Sequence, residues 1–105
     1  MDRAKPSIVV TGAIKVAQRD REALVKVLQA HVPRVREKDG CIAYAFAVDV
    51  VDPNVLHMSE AWRDQLSLEA HLADDEFQGV LKELVDIKFV ERSVQRYEVS
   101  SVADI

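Results

Sequence analysis

E-A-W-R-D-Q-L-S-L-E-A-H-L-A-D-D-E-F, from Glu60 to Phe77, decides how this chain is read. Side chains alternate along an extended backbone, so Glu60 and Trp62 share one face of a strand. Asp64 has the position and chemistry of a helix N-cap, and Leu68, His71 and Leu72 then recur at helical spacing. Asp74-Asp75 caps a second segment that is expected to turn Phe77, Val80, Leu81 and Leu84 inward. An acid, an indole and an imidazole are thereby expected beside one cavity.

Upstream, Asp52-Pro53-Asn54 supplies turn chemistry, so Val55 to Arg63 should return antiparallel to the strand before it. Leu56, Met58, Glu60 and Trp62 fall on one face, and Val55, His57, Ser59 and Ala61 on the other. The preceding strand, Cys41 to Val51, is apolar on both faces, with Ile42, Tyr44, Phe46 and Val48 against Cys41, Ala43, Ala45 and Ala47. A strand buried on both sides needs two covers. The chain's own helices provide one, and a second subunit is the expected source of the other.

Ile8 to Ala17 alternates and is rich in β-branched residues, which predicts a strand. Asp20 reads as an N-cap for a helix whose stripe is Leu24, Val27, Leu28, His31 and Val35, with Pro33 near its end. Lys38-Asp39-Gly40 closes that helix, Gly40 being free to adopt φ > 0. The last strand is expected from about Phe89 to Val99. The order β-α-β-β-α-β predicts an α+β, ferredoxin-like fold with an antiparallel sheet, in one domain over residues 1–105.

Composition excludes several classes. At 105 residues with 49% hydrophobic side chains, the chain has the makeup of one folded domain. A net charge of −4 argues against a nucleic-acid footprint. No apolar run approaches the roughly 20 residues that span a bilayer, and Met1 to Ser7 lacks the apolar core of a signal peptide. The single cysteine, Cys41, precludes an internal disulfide and fits a reducing compartment, so a cytoplasmic protein is expected.

Each candidate side chain has two readings. Glu60, between Met58 and Trp62, is either a general base or acceptor for a substrate hydroxyl, or a strand carboxylate bonded within the fold or to a partner subunit. Trp62 is either core packing or a platform for a flat aromatic ring. His71 is either a satisfied core imidazole or a group that takes a proton from an acidic phenol or enol. His31 reads as helix packing, His57 as a residue of the dimer face, and Cys41 as packing. No metal site is expected, because Glu60 and His71 supply two ligands where stable sites want three or four. No glycine-rich phosphate loop points to a nucleotide or flavin.

G-C-I-A-Y at Gly40 to Tyr44, L-H-M-S-E-A-W at Leu56 to Trp62 and H-L-A-D-D-E-F at His71 to Phe77 carry a resemblance. In these motifs the chain resembles the antibiotic biosynthesis monooxygenase family of dimeric α+β barrel proteins. The family resembled includes oxygenases that convert anthrones or hydroquinones to quinones without metal or flavin, heme-degrading enzymes and a signal-molecule isomerase. The resemblance implies a homodimer that acts on a small aromatic substrate and O₂ with no cofactor. It makes His71 or Glu60 the base, with Trp62, Tyr44 and Phe46 lining the pocket and Leu68 and Phe77 closing its helical side. Isomerisation of a small carbonyl compound, and a small-ligand binding or stress-response role without turnover, are the alternatives. Heme degradation is not expected. Leu81 stands where that subgroup has its axial histidine, His71 where it has a tryptophan, and V-T-G-A around Gly12 lacks its asparagine.

Overall fold

The structure, a computed structural model, describes residues 5–105. Strand β1 (Ile8–Val16) leads through a short 3-10 turn into helix α1 (Arg21–Arg36). Strands β2 (Cys41–Val48) and β3 (Val55–Trp62) form the hairpin, helices α2 (Gln65–Ala73) and α3 (Asp75–Glu83) follow, and β4 (Phe89–Glu98) closes the sheet. All pairings are antiparallel and the strand order is β2-β3-β1-β4, the ferredoxin-like α+β arrangement.

The β-branched alternation of β1 explains its central place. Ile8, Val10, Ile14 and Val16 are buried on the helical side, where Ile8 pairs with Trp62 and Val10 with Glu60. One core cluster gathers Ile8, Val10, Val35, Tyr44, Trp62 and Leu68. A second gathers Ile14, Val16, Leu24, Leu28 and Leu56. Each fully buried aliphatic side chain contributes about 1.5–3 kcal/mol, so these two clusters dominate the packing energy.

Asp64 caps α2, its side chain accepting the Ser67 N–H at 2.8 Å, and Asp74 caps α3 through the Glu76 N–H at 3.2 Å. Asp20 behaves otherwise. It occupies the N-cap position of α1 without a side-chain cap bond, and its carboxylate instead accepts the Lys88 N–H at 3.0 Å. Pro33 lies inside α1 without ending it. Gly40 has φ of 80°, and a Cβ there would collide with the Ser67 side chain, so this corner requires glycine.

Two expectations need correction. Strand β2 stops at Val48 because the Asp49 carboxylate accepts the N–H groups of Val51 and Asp52 at 3.0 and 2.8 Å and turns the chain. A register shift between Cys41 and Ala43 places Cys41 opposite Trp62, so Cys41 packs on the first core cluster and not on the outer face with Ala43. Leu72 and Leu81 border the space between sheet and helices, as the stripe predicts, yet remain 44% and 45% exposed. No helix among the described residues is long and apolar enough to cross a membrane.

Candidate functional site

Between the sheet and the helices lies a cleft of about 650 Å³, within the size range of small-molecule sites. Its sheet wall includes Val10, Tyr44, Phe46, Met58 and Glu60, and its helical wall His31, Leu68, His71, Phe77 and Val80. Six of the residues expected at a site therefore border it together: Glu60, His71, Tyr44, Phe46, Leu68 and Phe77. Trp62 does not. It is fully buried and serves the site from behind.

Period-2 alternation of β3 brings Glu60 to the cleft. Its Oε1 accepts the Trp62 indole N–H at 2.9 Å. Among the described residues Oε2 has no hydrogen-bond partner. Burial raises the Glu60 carboxyl above the ordinary carboxylate range, and the indole bond opposes that only in part. A carboxylate made more basic by desolvation, with one oxygen free beside a cavity, is suited to taking a proton.

His71 stacks on Trp62, with ring centroids 5.0 Å apart and planes 23° apart. Its Nδ1 lies 2.9 Å from Lys38 Nζ. An ammonium is only a donor, so Nδ1 accepts and the hydrogen of the neutral ring sits on Nε2. Burial, followed by the charge of Lys38, holds His71 down to about 4. The imidazole is therefore a hydrogen-bond donor at neutral pH, with its basic nitrogen already engaged. Lys38 is in turn fixed by Glu76 at 2.9 Å and Asp74 at 3.1 Å.

The structure adds a group that the helical stripe alone did not suggest. His31 is not merely packing in α1. Its Nδ1–H donates to Glu76 Oε2 at 2.7 Å, and its Nε2 lies 3.1 Å from the Tyr44 hydroxyl. Burial works against the ionised Glu76, but hydrogen bonds from Lys38 and His31 outweigh it and hold the carboxyl low. Tyr44 is pushed up, by burial first and then by Glu60 and Glu76, so its phenol keeps its proton. Glu76, His31 and Tyr44 form a continuous chain from an ionised carboxylate to the cleft. Its only sequence signal was a histidine on an apolar stripe.

His57 sits on the opposite sheet face, bonded to Asp49 at 2.7 Å, away from all of this.

The pattern of the antibiotic biosynthesis monooxygenase family matches residues 7–83. No curated protein matches the chain. Among solved structures, a Deinococcus radiodurans protein named for the same family superposes with a TM-score of 0.85 at 19% identity, covering 93% of this chain and 97% of its own. A Pseudomonas aeruginosa protein gives 0.81 at 24% identity, covering 96% and 100%. A Bacteroides thetaiotaomicron protein of unknown function, named a possible oxidoreductase, gives 0.80 at 20%, covering 91% and 100%. These likenesses establish the fold. The motif-bearing span of β1 to α3 is matched as a whole, and the chain belongs to the antibiotic biosynthesis monooxygenase family.

Proposed function

We propose that the chain is a cofactor-independent monooxygenase of small quinol- or anthrone-like aromatic compounds. The observation that carries this reading is the convergence of Glu60, Tyr44 and His71 on one largely apolar cleft. Glu60, through its free Oε2, takes the acidic proton of the bound substrate. His71 Nε2–H donates to the oxygen that gains negative charge, which refines the sequence expectation of His71 as the base. The substrate anion is itself the reductant. It passes an electron to O₂, the two radicals join as a peroxide at the reacting carbon, and loss of water leaves a carbonyl there. One oxygen atom enters the product and the other leaves in water. The protein binds, deprotonates and shields the substrate, and the apolar walls of Phe46, Met58 and Phe77 suit that role.

The test is oxygen uptake with a panel of hydroquinones and anthrones, comparing wild type, Glu60→Gln and His71→Ala. Uptake above autoxidation that falls most in Glu60→Gln supports the reading. Tight binding of the same compounds with no uptake would replace it with a ligand-binding role.

The assembly proposed with this function is a homodimer formed through the outer sheet face. Ala43, Ala45 and Ala47 are exposed there, and Tyr97, opposite Val9, is 46% exposed. An exposed face of small residues is suited to close packing against a second copy.

A further inference from the structure

The cleft has one wall that the proposed chemistry does not use. Strand β4 is an edge strand and is exposed along almost its whole length. Register decides which of its side chains face the helices. Arg92 pairs with Ile14, Val94 with Gly12 and Arg96 with Val10, and Ile14 and Val10 point into the core. Glu91 pairs with Lys15 on the other face. A register shift beside Val16 lets Phe89 also face the cleft. The open side of the cleft therefore has Arg92 and Arg96 on β4, facing an apolar lip of Leu81 and Leu84 from the α3 side.

These guanidiniums are poorly matched by the protein's own acids. Among the described residues Arg92 makes no ion pair, and Arg96 reaches only its strand neighbour Glu98, at 3.4 Å on an exposed surface. Glu76 of α3 is committed to His31 and Lys38. Asp75 and Glu83, the other acids of α3, do not line the cleft. Glu60 also lines the cleft, but it projects from β3, beyond β1 from β4. In a chain of net charge −4, two inward-facing arginines on a sheet edge call for an anion.

We propose that Arg92 and Arg96 are a specificity site of this cleft, and that its ligand is an amphipathic organic anion. The apolar ring system lies between Phe46, Met58 and Phe77, and a carboxylate, sulfonate or phosphate group sits at the two guanidiniums. Arginine suits this because its planar fork donates two parallel hydrogen bonds to such groups. The proposal rests on the cleft being the ligand site. It names the substrate class as aromatic acids and not neutral aromatics.

A matched pair of probes tests it without turnover. 1-Anilinonaphthalene-8-sulfonate and N-phenyl-1-naphthylamine share one ring skeleton and differ by the sulfonate, and both fluoresce when bound in apolar sites. Wild type should bind the sulfonate at least tenfold more tightly than the neutral dye at low salt. Arg92→Gln/Arg96→Gln should lose about tenfold or more of the sulfonate affinity, as expected for charge-assisted hydrogen bonds, and keep the neutral affinity within about twofold. Arg34→Gln, at an exposed position of α1, should change neither. Equal binding of both dyes by wild type overturns the proposal. So does failure of either dye to bind, parallel loss of both in the double variant, or an equal loss in Arg34→Gln. Since no oxygen chemistry is read, this experiment and the uptake assay can fail independently.

Discussion

Trp62 donates its indole N–H to Glu60 from two positions along the same face of β3, with the two atoms 2.9 Å apart. The bond joins the fully buried core to the one carboxylate that, among the described residues, lines the cleft. Trp62→Phe removes the donor and part of the ring volume together. It should cost about 2–4 kcal/mol, the sum of a partial core cavity and a buried carboxylate left without its partner. It should also raise the Glu60 carboxyl further, because the indole bond is what opposes burial there. Urea unfolding measures the first effect. The coupling with Glu60→Gln in a double-mutant cycle isolates the bond, and zero coupling would deny it any energetic role.

His71 makes stability depend on pH in a defined window. A free imidazole titrates near 6.5, whereas burial and Lys38 hold this one at about 4 in the fold. Between those values the unfolded chain binds a proton that the native state excludes. Stability is therefore complete above pH 6.5 and falls as pH drops toward 4, by on the order of 3 kcal/mol from this group. His71→Phe keeps an aromatic ring against Trp62 and abolishes the titration. Denaturation at pH 6.5 and 4.5 should show a smaller loss in the variant than in wild type. Equal losses would show that His71 is not the group responsible.

Lys38 acts on His71 through both its charge and its hydrogen bond to Nδ1. Lys38→Met removes both and leaves the Asp74 and Glu76 carboxylates facing the ring. The imidazole should then titrate at higher pH than in wild type, seen directly as its ring ¹H–¹⁵N shifts move with pH. If the proposed oxygenase needs His71 neutral, the acid limb of its rate profile should move upward by the same amount. A shift in titration with no shift in the rate profile would separate His71 from the chemistry.

The parity of β3 was legible because one residue in two is apolar from Leu56 to Trp62, and Glu60 interrupts only the chemistry of that face. The caps of α2 and α3 were legible because Asp64 and Asp74 sit immediately before each helix. The Glu76–His31–Tyr44 chain was not, since its members come from α3, α1 and β2 and His31 and Glu76 are 45 positions apart. Strict alternation puts Cys41 on the wrong face, because a single-residue register shift reverses it without leaving a compositional mark. Leu72 and Leu81 fit the helical stripe yet stay exposed, because both stand at the open cleft and nothing packs over them. The inward arginines of β4 were hidden for a related reason. On a strand whose two faces are both polar, alternation does not say which one faces in.

Gly12 sets how closely β4 approaches the centre of the sheet. A Cβ there would collide with the Ser93 carbonyl oxygen and lie 2.8 Å from Val94 Cα, contacts that no rotamer change relieves. Gly12→Ala should displace β4 and cost about 1–3 kcal/mol, as overpacking does. Because β4 carries Arg92 and Arg96, the variant should also weaken the sulfonate dye. Hydrogen exchange of the β4 amides, faster in the variant than in wild type, checks the displacement, whereas unchanged exchange with lowered stability would place the strain elsewhere.

Ala45 occupies the middle of β2 on the outer sheet face, opposite Ser59 and next to Ala43 and Ala47. The side chain is exposed in the single chain, so arginine can be accommodated there without disturbing either core cluster. In the proposed dimer the same position lies against a second copy, where two arginines would be desolvated and brought together by symmetry. Ala45→Arg should therefore leave the secondary structure intact and halve the mass seen by sedimentation equilibrium. Wild-type protein that sediments as a monomer would remove the dimer from the proposal. A variant that remains dimeric would move the interface off this face, and the cleft, which opens on the other side of the sheet, would be unaffected by either result.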